Sequence, residues 1–377
     1  MIVVPHPAPP ARRWLAHLLR AAEGSSRAGD PFDDELPFEA GAVERLAREQ
    51  GVAAVVHRGI ALGRIADPLP DSFRAACLAV YADTRRRTRV ALHAGWTIRR
   101  ALDRAGIAAA SLPGWALLEG GSPPHPDPGT RPLDGLDLLV RGRDFGRAAG
   151  ALGELGFRPL PRPSREGAPL FQRPEADLEL VLALHSAWDP SPGSRRGGAD
   201  SADRFLERLC DRAEAGDTRA SRLGCLLFAA SQAARRAPAR WIWLVDLHRL
   251  VSLAPLDWDG VVAAASEWRM RRALYAGLLA TRELLRTPIP KEVLARLAPG
   301  PLRRRLLHRS LAASALQRRG GGAGWAARLL LRDSWWQVGH SGASAPAAAG
   351  TAQAGSLHAL ENGLTGRRAG EVAGGER

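Results

Sequence analysis

Apolar positions along this chain recur first at helical spacing, then in short strand-like runs, then at helical spacing again. After a proline-rich start, Trp14 to Ala22 has the pattern of a short amphipathic helix, and "GSSRAGDPFDDELP" reads as a linker. Residues 40 to 110 read as helices: "AVERLAREQGVAAVVHRGIAL" repeats apolar groups at helical intervals. "VALHAGWTIRRALDRAG" keeps Ala94, Ile98, Ala101 or Leu102, and Ala105 on one face until Gly106 ends the helix. The texture then changes. A short apolar piece, "IAAASLPGWALL", leads into the turn formers of "EGGSPPHPDPGTRP", and "LDLLV" is a compact aliphatic run suited to a buried strand. "RDFGRAAGALGELGF" predicts a helix with Asp144 as N-cap, Phe145, Ala148, Leu152 and Leu155 inward, and Gly156 as its stop. In "ADLELVLALHSAW", Leu178, Leu180, Leu182 and Leu184 alternate with Glu179, Val181, Ala183 and His185, the period of a strand. Strand, helix and strand make Gly106 to Trp188 a small α/β unit.

Helical spacing returns after the loop "DPSPGSRRGGADSAD". "SRLGCLLFAASQAAR", "RWIWLVDLHRLVSL" and "WDGVVAAASEWRMRRALYAGLLATRELL" predict a bundle. "PLRRRLLHRSLAASALQ" and "WAARLLLRDSWW" set arginine on one side and leucine or tryptophan on the other, a pattern that suits helices capping that bundle or lying at a membrane surface. From about Gly339 the chain is Ala, Gly and Ser with few large apolar groups, and a disordered tail is expected. The expected fold is α+β, a small mixed sheet inserted between a helical N-terminal region and a C-terminal helical bundle. The boundaries are 1–105, 106–190, 200–338 and a tail over 339–377.

Composition changes this picture little. The formal charge of +14 would suggest a polyanionic partner, yet Lys291 is the lone lysine and the arginines accompany abundant Ala, Gly and Pro. That joint skew has the character of a G+C-rich coding bias, so no stable nucleic-acid partner is expected, and membrane contact is confined to the basic C-terminal helices. Cys77, Cys210 and Cys225 lack ligand spacing and read as free thiols in a reducing compartment. The N-terminus lacks the order of a signal peptide, and no run approaches the roughly 20 apolar residues of a membrane span. A cytoplasmic protein is expected. No P-loop, GxGxxG or nucleophile elbow is present.

The candidate chemistry lies in "RPLDGLDLLV", Arg131 to Val140. Two divalent metals about 3.5–4 Å apart can activate a hydroxyl and hold a triphosphate's oxygens in line. They share carboxylates, and a strand supplies these at i and i+2, whose side chains point the same way. A third carboxylate on the neighbouring strand completes the cage, and a glycine-rich turn upstream brings backbone N–H groups to the phosphates.

With Leu112-Pro113-Gly114, Arg131, Leu136-Asp137-Leu138-Leu139-Val140, "LGELGF", "LALHSAW" with His185 and Trp188, and "RWIWLVDL" with Asp246, the chain resembles the uncharacterised nucleotidyltransferase family of the DNA polymerase β-like superfamily. Members of that family often lie beside biosynthetic gene clusters. The resemblance implies a nucleoside triphosphate and Mg²⁺, with transfer of a nucleotidyl group to a hydroxyl on a small-molecule or peptide acceptor. Carried over position by position, Asp137 is the second acid of the metal pair, Gly135 stands at the first, Pro113 replaces the lysine of the turn, and Ala183 stands at the third carboxylate. Arg131 would meet phosphate, with a surface arginine as the plain alternative, and Gly114 and His185 would line the substrate.

Neighbours offer substitutes. A bulge at Gly135 would turn Asp134 toward Asp137 as a second metal ligand. Glu119-Gly120-Gly121-Ser122 is an alternative phosphate turn whose use would make Asp134 and Asp137 a shifted pair. Glu179 shares the face of Ala183 but sits four residues away, about 13 Å along a strand, too far to replace it at a metal with bonds of about 2.1 Å. Asp246 reads as structural, paired with Arg249 or Arg240. A protein lacking those acids has a second reading, a catalytically degenerate pseudoenzyme that keeps the fold for binding or scaffolding.

Overall fold

A long helix crossing two cores organises the structure. The computed structural model describes residues 10–26, 37–66, 68–120, 122–164, 167–187, 201–212, 218–235 and 240–307. Gly121, Trp188, the segment "WAARLLLRDSWW" and the tail from Gly339 lie outside the described residues.

Four helices come first: α1 (Pro10–Ala22), α2 (Ala40–Glu49), α3 (Ala53–Ala61) and α4 (Asp71–Arg104). The middle section contains β1 (Ala109–Ser111), β2 (Leu136–Val140), α5 (Phe145–Glu154), β3 (Arg158–Pro159), β4 (Leu170–Glu175) and β5 (Leu178–His185). It is followed by α6 (Ser201–Arg208), β6 (Cys210–Arg212), β7 (Thr218–Ala220), α7 (Arg222–Arg235), α8 (Trp241–Ser252), α9 (Trp258–Glu267), α10 (Arg271–Leu285) and α11 (Lys291–Leu297). The seven strands form one mixed sheet in the order β3-β4-β5-β2-β1-β7-β6. At its centre β2 and β5 run parallel, with Leu136 opposite Leu182, Asp137 opposite Ala183, Leu138 opposite Leu184 and Leu139 opposite His185. The aliphatic run after Arg131 thus lies beside the segment leading to His185, as the strand readings of both require.

Alternation along β2 explains why its sequence is apolar nearly throughout. Leu136, Leu138 and Val140 join Leu180, Leu182 and Leu184 in a core closed by Ile98 and Leu102 of α4 and Ala148 and Leu152 of α5. Leu139 faces the other way, into a second core with Ala110, Leu112, Phe205 and the helices. A strand buried on both faces has no polar face to show. Helices from both ends of the sequence share that second core, with Leu15 and Leu18 of α1 in the same cluster as Val245 of α8 and Leu274 of α10.

Helix α4 begins well before the face read from Ala94 to Ala105. Its buried positions Phe73, Cys77, Thr84, Thr88, Ala91, Gly95, Ile98 and Leu102 follow one helical stripe. The first two of these belong to the helical core and the last two to the sheet core. Gly106 and Gly156 end α4 and α5 with φ of +64° and +83°, a region that glycine enters without a Cβ clash. Asp144 does not cap α5: its carboxylate accepts from Arg147 at 3.0 Å, and no side-chain cap bond forms. The long segment read from Trp258 to Leu285 is two helices, broken at Arg269 with φ +53°. Two pieces of the sheet carry no strand signature in the sequence. The hairpin partner β4 has proline and charge among its apolar residues, and the β6–β7 hairpin is built from strands of three residues. Among the described residues no helix is long and apolar enough to cross a membrane.

Gly95 marks the tightest approach of α4 to the sheet layer. A Cβ there would lie 2.4 Å from Cζ2 of the fully buried Trp115. Alanine favours a helix interior over glycine by up to about 1 kcal/mol, whereas overpacking costs about 1–3 kcal/mol. Gly95→Ala is therefore expected to lower the thermal unfolding midpoint and alter the near-ultraviolet circular dichroism of the tryptophans. An unchanged or raised midpoint would show that Trp115 has room to move.

Candidate functional site

At the sheet centre, β2 and β5 bring together two of the residues singled out from sequence. Asp137 points from β2, and His185 lies on β5 two pairs further along the ladder. His185 Nε2 is 2.9 Å from Asp137 Oδ1. An ionised carboxylate only accepts, so the proton resides on Nε2 and donates to Asp137. The Asp137 side chain is 39% exposed while that of His185 is nearly covered, which leaves one edge of the carboxylate open to solvent. The Leu112 N–H donates to the Asp137 carbonyl at 2.9 Å and so ties the Pro113-Gly114 turn to this strand. Gly114 adopts φ +113°, a conformation that side-chain-bearing residues rarely enter.

The other candidate acids lie elsewhere. Asp134 is 77% exposed and reaches Arg240 Nη1 at 3.4 Å. Glu179 is exposed at the far end of β5. Glu119 is buried and consumed: Arg99 donates to both of its oxygens at 2.9 and 3.1 Å, Ser111 Oγ donates at 3.0 Å, and Trp115 Nε1 also donates. Gly120, at φ +97°, and Ser122 follow it on the surface. Position 135 has no room for the first acid. A Cβ on Gly135 would stand 2.9 Å from the Val181 carbonyl oxygen, so any side chain there requires the backbone of β5 to move. Beside Asp137, Ala183 offers no side-chain oxygen. Among the described residues no group of three or more His, Cys, Asp or Glu side chains could hold a metal ion. A two-metal centre needs shared carboxylates, and one carboxylate engaged by an imidazole does not fit a pair of Mg²⁺ ions.

Arg131 is neither at the surface nor beside the Asp137–His185 pair. It is buried, with Nε 2.9 and 3.1 Å from the two Asp246 oxygens, Nη2 3.0 Å from Oδ2, and Nη1 donating to the Pro132 carbonyl at 2.6 Å. This fork-on-fork geometry corrects the sequence expectation that Asp246 pairs with Arg249 or Arg240. Arg249 instead clasps Glu23 just past α1, at 2.7 and 2.9 Å. The two pairs meet at His125, a residue that sequence reasoning passed over because it stands alone among prolines. His125 Nε2 is 2.7 Å from Asp246 Oδ1, and Nδ1 is 2.8 Å from Arg249 Nη1. A guanidinium can only donate, so Nδ1 accepts and Nε2 carries the proton to Asp246.

Charge holds this cluster in one state. Burial, reinforced by Arg249, pushes the His125 imidazole down to about 4 and keeps it neutral. Burial alone would raise Asp246, but Arg131 and His125 outweigh it and hold the carboxyl below its ordinary value. Glu23 is lowered in the same way, its burial outweighed by Arg249. Around the cluster, Thr88 Oγ1 donates to the Arg131 carbonyl at 3.3 Å, and Asp127 accepts from Tyr81 and pairs with Arg58. The loop before β2 is thereby fixed to α3, α4 and α8.

A family model described as an uncharacterised nucleotidyltransferase matches residues 37–286, well over half of the chain. No curated protein and no solved structure matches it.

Two outcomes follow from the buried cluster. Asp246→Asn strands the Arg131 guanidinium without a counter-charge, and chemical denaturation should show a loss of about 3–5 kcal/mol. The pH dependence has a definite sign. Because His125 titrates near 4 in the native state and about 6.5 when unfolded, its contribution is fully present above 6.5 and is lost as pH falls toward 4. The loss is on the order of 3 kcal/mol, with His57 and His248, also lowered by burial, adding in the same direction. Unfolding midpoints measured from pH 7.5 to 4 should fall, and His125→Gln should flatten the fall. A wild-type profile that is level over that range would refute the neutral imidazole.

Proposed function

Because the chain belongs to the uncharacterised nucleotidyltransferase family, we propose that it is a catalytically silent member, which keeps the nucleotidyltransferase fold for binding or scaffolding and does not turn over substrate. The observation that carries this reading is the contact at Gly135: the backbone oxygen of Val181 lies where the first metal-binding side chain would begin. Pro113 in place of a lysine and Ala183 opposite Asp137 support it, as does the engagement of Arg131 by Asp246. The ligand that fits the family is a nucleoside triphosphate, held without a metal pair. The partner in a biosynthetic setting would be the enzyme or acceptor that an active relative modifies.

One observation favours the active reading, Mg²⁺-dependent nucleotidyl transfer to a hydroxyl acceptor. Asp137 retains an open carboxylate edge beside the Gly114 turn. Calorimetry with ATP and CTP, in Mg²⁺ and in EDTA, separates the two. The silent reading expects the same binding heat in both, unchanged in Asp137→Asn, and no transfer of an α-phosphate label to protein or small hydroxyl compounds. Gly135→Asp with Ala183→Asp should destabilise the protein by about 1–3 kcal/mol through overpacking and create no metal dependence. Binding that requires Mg²⁺ and disappears in Asp137→Asn would overturn it.

A further inference from the structure

The outward face of α4 carries a stripe that neither core uses. While Thr84, Thr88, Ala91, Gly95, Ile98 and Leu102 point inward, Arg85, Arg89, His93, Trp96, Arg100 and Arg104 are all exposed. At 100° per residue they fall within an arc of about 100°, and at 1.5 Å per residue the stripe is about 29 Å long. Trp96, 59% exposed, holds its middle, with the Arg100 guanidinium 5.5 Å from the ring centroid.

An ordinary solvated helix face sets acids and bases at i and i+4, where an opposite pair contributes about 0.2–0.5 kcal/mol and a like pair costs as much. Here Arg85 stands four residues from Arg89, and Arg100 four from Arg104. Asp83 lies off the stripe and is engaged by Arg86 and Arg87, and the one acid within the arc is Asp103, between Arg100 and Arg104. Coding bias accounts for the number of arginines in the chain. It does not set four arginines against a single acid along one line or place a solvent-facing tryptophan within it.

We infer that this face of α4 is a docking surface for single-stranded nucleic acid. Its guanidiniums complement a line of phosphates. An unstacked base can lie on the indole, and the adjacent arginine reinforces the stack. A duplex keeps its bases stacked away from such a ring, and an acidic peptide satisfies the arginines while leaving Trp96 without a planar partner. A helix lying in a membrane surface buries an apolar face, and that of α4 is already consumed by the two cores. The expectation of no nucleic-acid partner rested on total charge, whereas this inference rests on placement. It uses no residue of the Asp137 site, so neither reading depends on the other.

Fluorescence polarisation of the full chain with labelled single strands of about 15 nucleotides, DNA and RNA, tests it against a duplex of the same sequence. Neutralising four phosphates gives a slope of log K against log salt of about −3. Arg89→Gln with Arg100→Gln should weaken binding at least tenfold and reduce the slope by about half. Trp96→Ala should weaken it about 5- to 150-fold with the slope unchanged. All three positions are exposed, and unchanged melting curves will confirm that the variants fold. Removing the same charge at exposed Arg158 and Arg162 should have little effect. The inference is overturned by no measurable binding or by equal affinity for duplex. It is equally overturned if polyglutamate or phosphatidylglycerol vesicles compete as well as unlabelled oligonucleotide, or if the α4 variants match the Arg158 and Arg162 control.

Discussion

The fold depends on how one buried carboxylate is neutralised. Asp246 sits in the middle of α8 with almost no exposure, where an isolated negative charge would cost several kcal/mol. Arg131, at the mouth of β2, meets it with a two-pronged contact, and His125 supplies a third donor. Both partners belong to the loop that delivers the chain into β2. The ion pair thereby ties helix α8 to the entry of the central strand that carries Asp137. Arg249 extends the same cluster to Glu23, so the end of α1, the loop and α8 are joined by ionic contacts below the surface.

That constraint gives two conspicuous sequence features a structural meaning. The arginine preceding the strand and the aspartate of "WLVDL" are each other's partners, and neither faces the Asp137–His185 pair. What remains at the sheet centre is a carboxylate, an imidazole and a glycine turn. One missing acid is linked to packing: at Gly135, β2 approaches the backbone of β5 so closely that a side chain has no space. A vacancy enforced by backbone contact differs from one left by a simple residue change, because replacing the residue does not reopen the place.

Helix α4 unites the remaining features. Its inner stripe spans two cores, and small residues appear where pressure is greatest, as with Gly95 against Trp115. Trp115 in turn donates to Glu119, whose other contacts are Arg99 and Ser111, so one close approach fixes a buried ion pair and the turn that follows β1. The outer stripe packs into neither core, and its positive face with an exposed indole is the surface to which we assign a partner outside the chain.

Local periodicity carried most of the architecture. The apolar run Leu136 to Val140, the alternation from Leu178 to His185, and the glycine stops at Gly106 and Gly156 were legible because each depends on backbone geometry and neighbours within a few residues. Where local signals weakened the reading failed, in the proline-bearing β4, the three-residue strands of β6 and β7, and the uncapped start of α5. Sequence also located Asp137 and His185 and identified the positions at which acids were lacking. It did not determine which charge meets which. Asp246 had several arginines within plausible reach, and the choice of Arg131 and His125 over Arg249 and Arg240 is set by how helix α8 packs against a loop more than a hundred residues earlier in the chain. Likewise Gly135 reads as a lost acid in one dimension and as a backbone contact in three. Ion pairing and close packing depend on distance through space, which only the tertiary structure decides.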